Sequence, residues 1–208
     1  MKKVLEIGGF ISGAILVAFG VAVIALGASG RSTVNSNLKQ EQITGSPDMT
    51  PALIKVEAAK AGLTNISFPS CSVADKAITT GTSARCFAQY MRIHALEASG
   101  GLPYSQMPRF ATADGKGTND ATKAQMANGQ PVANAARNTW VTETALSTAL
   151  NVSYMASQLS LFSIVVGLAL LLTGIGFMVL DYVALHVRRE KKASEAAAAV
   201  PTTKPAIA

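Results

Sequence analysis

Two stretches of this chain carry no charge, and they limit what it can become more than any other feature. One runs from residue 7 to residue 30, and the other lies inside the uncharged segment between Glu143 and Asp181. Within them, residues 7–28 and 159–180 each supply twenty-two predominantly apolar positions, enough for a helix to cross a hydrocarbon layer of about 30 Å. An unpaired backbone amide is costly in lipid, so both are expected to be helices rather than strands. The polar remainder amounts to roughly one small domain, which excludes a large soluble enzyme. Composition agrees, because 14% of the residues are charged and the mean hydropathy is +0.31, against about 25% charged in soluble domains.

The flanks set an expected orientation. Lys2 and Lys3 precede the first run, and Arg188, Arg189, Lys191 and Lys192 follow the second, so the positive-inside rule puts both ends in the cytoplasm. The expected order is a cytoplasmic N-terminus (residues 1–6), a first transmembrane helix (7–28), an extracytoplasmic domain (29–158), a second transmembrane helix (159–180) and a basic, mostly disordered cytoplasmic tail (181–208). A cleaved signal peptide is the competing reading of the first run, with Ala25-Leu26-Gly27 as the cleavage site. Retention is expected, because the run exceeds an h-region of 7 to 15 residues. Glu6 and Asp181 fall at the cytoplasmic level and are expected to be solvated. Tyr154 and Tyr182 fall where aromatic rings frame a span. The basic cluster Arg188 to Lys192 is expected to touch anionic headgroups, at about 1 kcal/mol per basic residue.

Glycines recur every seven residues within the runs, at Gly13, Gly20 and Gly27 and again at Gly167 and Gly174. That spacing keeps them on one helix face, where small residues let backbones approach closely in lipid. They predict a tight helix pair or a seam between copies. Gly9 and Gly13 also fit the GxxxG pattern, a weak signal in so glycine-rich a helix.

Between the runs the expected domain is mainly helical, making the chain an all-α integral membrane protein. Thr50 and Pro51 read as an N-cap and first helical position, with Gly62 ending a short helix. A second helix is expected from about Thr82 or Ser83 to Ala98, with Cys86, Tyr90 and Ile93 at helical spacing, ended by Gly100-Gly101. Pro131 reads as another helix-start signal, and from there no glycine or proline occurs until Gly167. Trp140, Val141, Leu146, Leu150 and Val152 form an apolar stripe there, so residues 132–192 read as one helix roughly 90 Å long. Residues 99–130 lack any sustained period and read as a flexible loop. Its Tyr104, Met107 and Phe110 need a surface to bury on, for which a partner or a neighbouring copy is expected.

Cys71 and Cys86 are the only cysteines. Both fall in the exported segment, where a disulfide between them is expected, worth about 3 kcal/mol in the chain-entropy model. A metal site combining these thiols with His94 matches no zinc spacing, so no metal is expected. His94 and His186 fall on opposite sides of the bilayer under this topology. No nucleophile elbow, P-loop, dinucleotide fingerprint or H-E-x-x-H occurs, and Gly115 to Thr118 read as turns. No segment is basic enough for nucleic acid, and neither a cofactor nor a small-molecule substrate is expected.

The stretches YMRIHALEASGGLPY (90–104), NAARNTWVTETALSTALNVSYM (134–155) and LFSIVVGLALLLTGIGF (161–177) resemble two-span membrane proteins of actinobacteria. Some of those carry the label aromatic ring-opening dioxygenase. This sequence departs from that chemistry, since non-haem iron needs two histidines and a carboxylate on one metal and only His94 is exported. The expectation is therefore a non-enzymatic accessory or assembly subunit of a cell-envelope membrane complex, contacting the lipid bilayer and other membrane subunits or its own copies. The alternative is an oligomeric pore, for which Ser12, Ser160, Ser163 and Thr173 are the lining groups available.

Overall fold

The computed structural model describes the backbone of residues 2–198 and the side chains of residues 8–195. The Lys2, Lys3 and Glu6 side chains and residues 199–208 of the tail lie outside what is described. The chain is mostly helical, with four α-helices among the described residues: α1 (Lys2–Gln40), α2 (Pro51–Lys60), α3 (Gly81–Ala98) and α4 (Ala135–Ala198). Contacts divide it into two compact units. One holds the described residues up to Ala28 and from Leu161 onward, and the other is Ser29–Ser160.

In the first unit, α1 and α4 each contain an 18-residue window of mean hydropathy 2.5, of which 11% is buried. Such helices are long and apolar enough to cross a membrane, and their outward faces are the kind that lipid covers. Gly13, Gly20, Gly27, Gly167 and Gly174 are all buried. The tail is helical as far as Ala198, a departure from the expected disorder. RREKKASEAAAA is rich in strong helix formers and has no glycine or proline before Pro201. The four basic residues therefore stand exposed on a helix.

The second unit is not clearly helical, which corrects the expectation of a mainly helical domain. Between α1 and α4 the described chain forms α2, α3, two short 3₁₀ turns, the hairpin β1 (Met126–Ala127) and β2 (Gln130–Pro131), and isolated bridges. Helix α1 runs well past residue 28, and its Leu38 is 5% exposed in the core. That core gathers around α3, whose Ala84, Phe87, Tyr90 and Ile93 pack with Ile54 and Ala58 of α2, Val73, Ile78 and, from α4, Leu150. Capping explains the helix starts. Thr50 Oγ1 accepts from the Leu53 amide, and Thr80 forms a reciprocal capping box with Ser83. Pro131 does not begin α4. Asn134 caps it instead, its Oδ1 accepting from the Ala136 amide at 3.1 Å.

Cys71 and Cys86 are bonded to each other, tying the loop before α3 to the helix itself. The fully buried Tyr90, one turn further along α3, donates its hydroxyl to the Cys71 carbonyl at 2.6 Å.

Residues 99–130 are folded onto the rest of the unit rather than forming a free loop. Phe110 and Thr118 exchange backbone hydrogen bonds at 2.9 Å, and the Gln125 amide donates to the Ala111 carbonyl at 2.8 Å. Asn128 and Gly129 turn the hairpin with φ of 52° and 75°, the left-handed pair that a two-residue turn requires.

Candidate functional site

The polar cluster with the most chemistry lies where α2 meets α3 in the second unit. Asp48 sits in the turn that leads to the Thr50 cap, Glu57 on α2, and His94 and Glu97 one turn apart on α3. His94 Nδ1 is 3.1 Å from Glu97 Oε2, and His94 Nε2 is 3.0 Å from Asp48 Oδ2. The second contact is an ion-pair distance without hydrogen-bond geometry. Nε2 is enclosed and makes no hydrogen bond, and Glu97 Oε1 is in the same condition. Asp48, Glu57 and His94 each present one donor atom within 4.8 Å of the others. Among the described residues no lysine or arginine pairs with any of the three carboxyls. Three acids therefore share one imidazole.

The carboxyls respond to that crowding in opposite ways. Burial acts to raise Asp48, but hydrogen bonds from Ser46 and from its own backbone amide, helped by the facing imidazole, leave it below its ordinary value. Burial raises Glu57 above its ordinary value, reinforced by the charge of Asp48, a hydrogen bond between the two carboxyls and the charge of Glu97.

His94 also lines an open groove of about 590 Å³ between α3 and α4, together with Met91, Ala95, Thr139, Thr142 and Glu143. Glu143 is 5% exposed, and its Oε1 accepts from Ser147 Oγ at 2.7 Å. Nearby, Arg85 lies over the Tyr154 ring at 4.6 Å and Arg92 over Trp140 at 5.3 Å.

The three side chains expected to meet a partner separate. Met107 is 3% exposed and packs with Ala95 and Trp140 in a small core of its own, so its covering surface belongs to this chain. Trp140 closes that core, its Nε1 donating to Ser99 Oγ and the Leu102 carbonyl, both at 3.0 Å. Phe110 is half-buried, held by its backbone exchange with Thr118. Tyr104 alone stays open, at 43% exposure. Arg137 lies 4.1 Å over its ring and donates to the Met107 carbonyl at 2.8 Å.

In the first unit four of the glycines meet in two pairs, Gly13 with Gly174 and Gly20 with Gly167. A Cβ added to Gly13 would lie 2.8 Å from the Gly174 carbonyl oxygen, and one added to Gly174 would lie 2.6 Å from that of Gly13. Asp181 was expected to be solvated, yet its Oδ2 is enclosed without a hydrogen bond. It lies against Gly9, whose missing side chain leaves it room. Of the hydroxyls available to line a pore, Thr173 donates back to Ala169 at 2.8 Å, and in the second unit Ser160 donates to Ala156 at 2.9 Å. Both are spent on their own helix. Ser12 is exposed.

Comparison with protein families, with curated proteins and with solved structures finds no match.

Proposed function

We propose that this chain is an integral membrane protein whose two apolar helices cross the bilayer, with both ends in the cytoplasm and residues 29–158 outside. Its role is that of a non-enzymatic accessory or assembly subunit of a cell-envelope membrane complex. The observation that carries the reading is the mutual contact of Gly13 with Gly174 and of Gly20 with Gly167, where backbone meets backbone. Without a hydrophobic drive between helices in lipid, such contact is what holds two spans together. The disulfide supports an oxidising, extracytoplasmic position for the second unit.

Because the glycine faces are used within one chain, partners meet its other faces. In the second unit Leu102 and Tyr104 are exposed at 39% and 43%, and Arg137 holds the tyrosine ring in place. In the first unit Phe19 and Phe162 are exposed at 62% and 63%, open to lipid or to neighbouring subunits. The exposed basic residues Arg188, Arg189, Lys191 and Lys192 face anionic headgroups of the inner leaflet.

A photo-crosslinker placed at Tyr104 tests the reading in native membranes. A discrete adduct of defined mass, lost when Arg137 is replaced by alanine, supports it. Monomer alone, under conditions where the membrane is intact, contradicts it.

A further inference from the structure

We infer that Asp48, Glu57 and His94 form a binding site for one divalent transition-metal ion of the Zn²⁺ type. The site is independent of the assembly role proposed above. A mixed set of one imidazole nitrogen and two carboxylate oxygens suits a borderline cation better than calcium or magnesium, which take oxygen ligands alone.

The imidazole is arranged as metal-binding histidines are. Glu97 Oε2 lies 3.1 Å from Nδ1, and a carboxylate at one ring nitrogen fixes the proton there and turns the lone pair of the other outward. That other nitrogen, Nε2, is enclosed, makes no hydrogen bond, and faces Asp48 Oδ2 at 3.0 Å. Two electron-rich atoms held this close with no hydrogen bond between them repel unless a positive charge stands between or upon them. The donor atoms already lie within 4.8 Å of one another, and ligand atoms about 2.0–2.2 Å from a tetrahedral ion sit roughly 3.4 Å apart. Small side-chain rotations close that difference.

Charge points the same way. Three carboxyls converge on one imidazole with no lysine or arginine among them, leaving a local negative surplus even when the ring is protonated. A divalent ion removes it. The ligands come from the turn before α2, from α2 and from α3, so an ion would cross-link these elements. Three protein ligands leave a fourth position for water.

Purified full-length chain without a polyhistidine tag, stripped by chelator and titrated with Zn²⁺ alone against a competing indicator, tests this. One ion per chain is expected, with a thermal midpoint that rises as Zn²⁺ is added. His94→Gln and Glu57→Gln should each weaken binding at least tenfold, and Glu97→Gln about tenfold through lost orientation. His186→Gln should bind as the parent does. Circular dichroism and the intact disulfide report that each variant is folded, and if His94→Gln is not, Glu57→Gln decides. Uptake no greater than that of a Glu57→Gln/His94→Gln double variant would overturn the inference and leave the cluster an imidazolium held by carboxylates.

Discussion

A Cβ built on Gly20 would lie 2.7 Å from the carbonyl oxygen of Gly167, and one built on Gly167 would lie 2.8 Å from that of Gly20. Neither position has room for any side chain, because the neighbour is backbone and cannot rotate away. Replacing Gly20 or Gly167 by leucine should destabilise the helix pair by about 1–3 kcal/mol, the usual range for overpacking. Gly176, with nothing within 4 Å of its added Cβ, should accept leucine with a change of less than about 0.5 kcal/mol. Thermal unfolding in detergent measures both, and equal effects would remove the seam from the account.

The disulfide and Tyr90 act on the same stretch of chain. Cys71→Ser with Cys86→Ser should lower stability by about 3 kcal/mol. Tyr90→Phe, which leaves the Cys71 carbonyl without its donor, should cost about 1–3 kcal/mol. Denaturant titration of the parent with and without reductant gives the comparison, and a parent indifferent to reductant would argue against a stabilising bond.

Met107 and Tyr104 should separate in their effects. Met107→Ala empties a buried position and is expected to cost about 2–5 kcal/mol. Tyr104→Ala, at an exposed position, should leave the melting temperature nearly unchanged while reducing any crosslinked assembly. Loss of stability in the tyrosine variant would place that ring in the core after all.

Acid and base should act on Asp48 and Glu57 in opposite senses in the metal-free protein. Glu57 holds its proton more tightly when folded, so its contribution is fully present below its ordinary value of 4.5 and is lost as pH rises through the raised one. Glu57→Gln should therefore raise the melting temperature near neutral pH, with the gain vanishing in acid. Asp48 is lowered from 3.8, so its contribution exists above that value and disappears as pH falls through the folded one. Asp48→Asn should lower the melting temperature near neutral pH. A fall in both variants would contradict the opposed shifts.

The apolar runs and the seven-residue glycine spacing were legible because each depends only on local sequence. So were the Thr50 cap and the pairing of the only two cysteines. The Asn128-Gly129 turn was equally local, but its flanking strands are only two residues each and carry no alternating pattern. Pro131 misled because proline suits both a helix start and a strand edge, whereas Asn134 supplies the oxygen that caps α4. Helix α1 extends to Gln40 because Val34 and Leu38 are held by the core of the second unit, a tertiary effect that no local signal announces. The same holds for the cluster at His94. Its neighbour Glu97 is visible at helical spacing, but Asp48 and Glu57 reach it only through the packing of α2 against α3, and no motif links them.

Labelling of intact cells with a membrane-impermeant thiol reagent tests the two-span account most directly. Lys116→Cys and Ser194→Cys are introduced separately, with the native disulfide left in place. The account predicts that the cysteine at 116 is labelled on whole cells and the one at 194 only after lysis. Labelling at 194 with protection at 116 would contradict it.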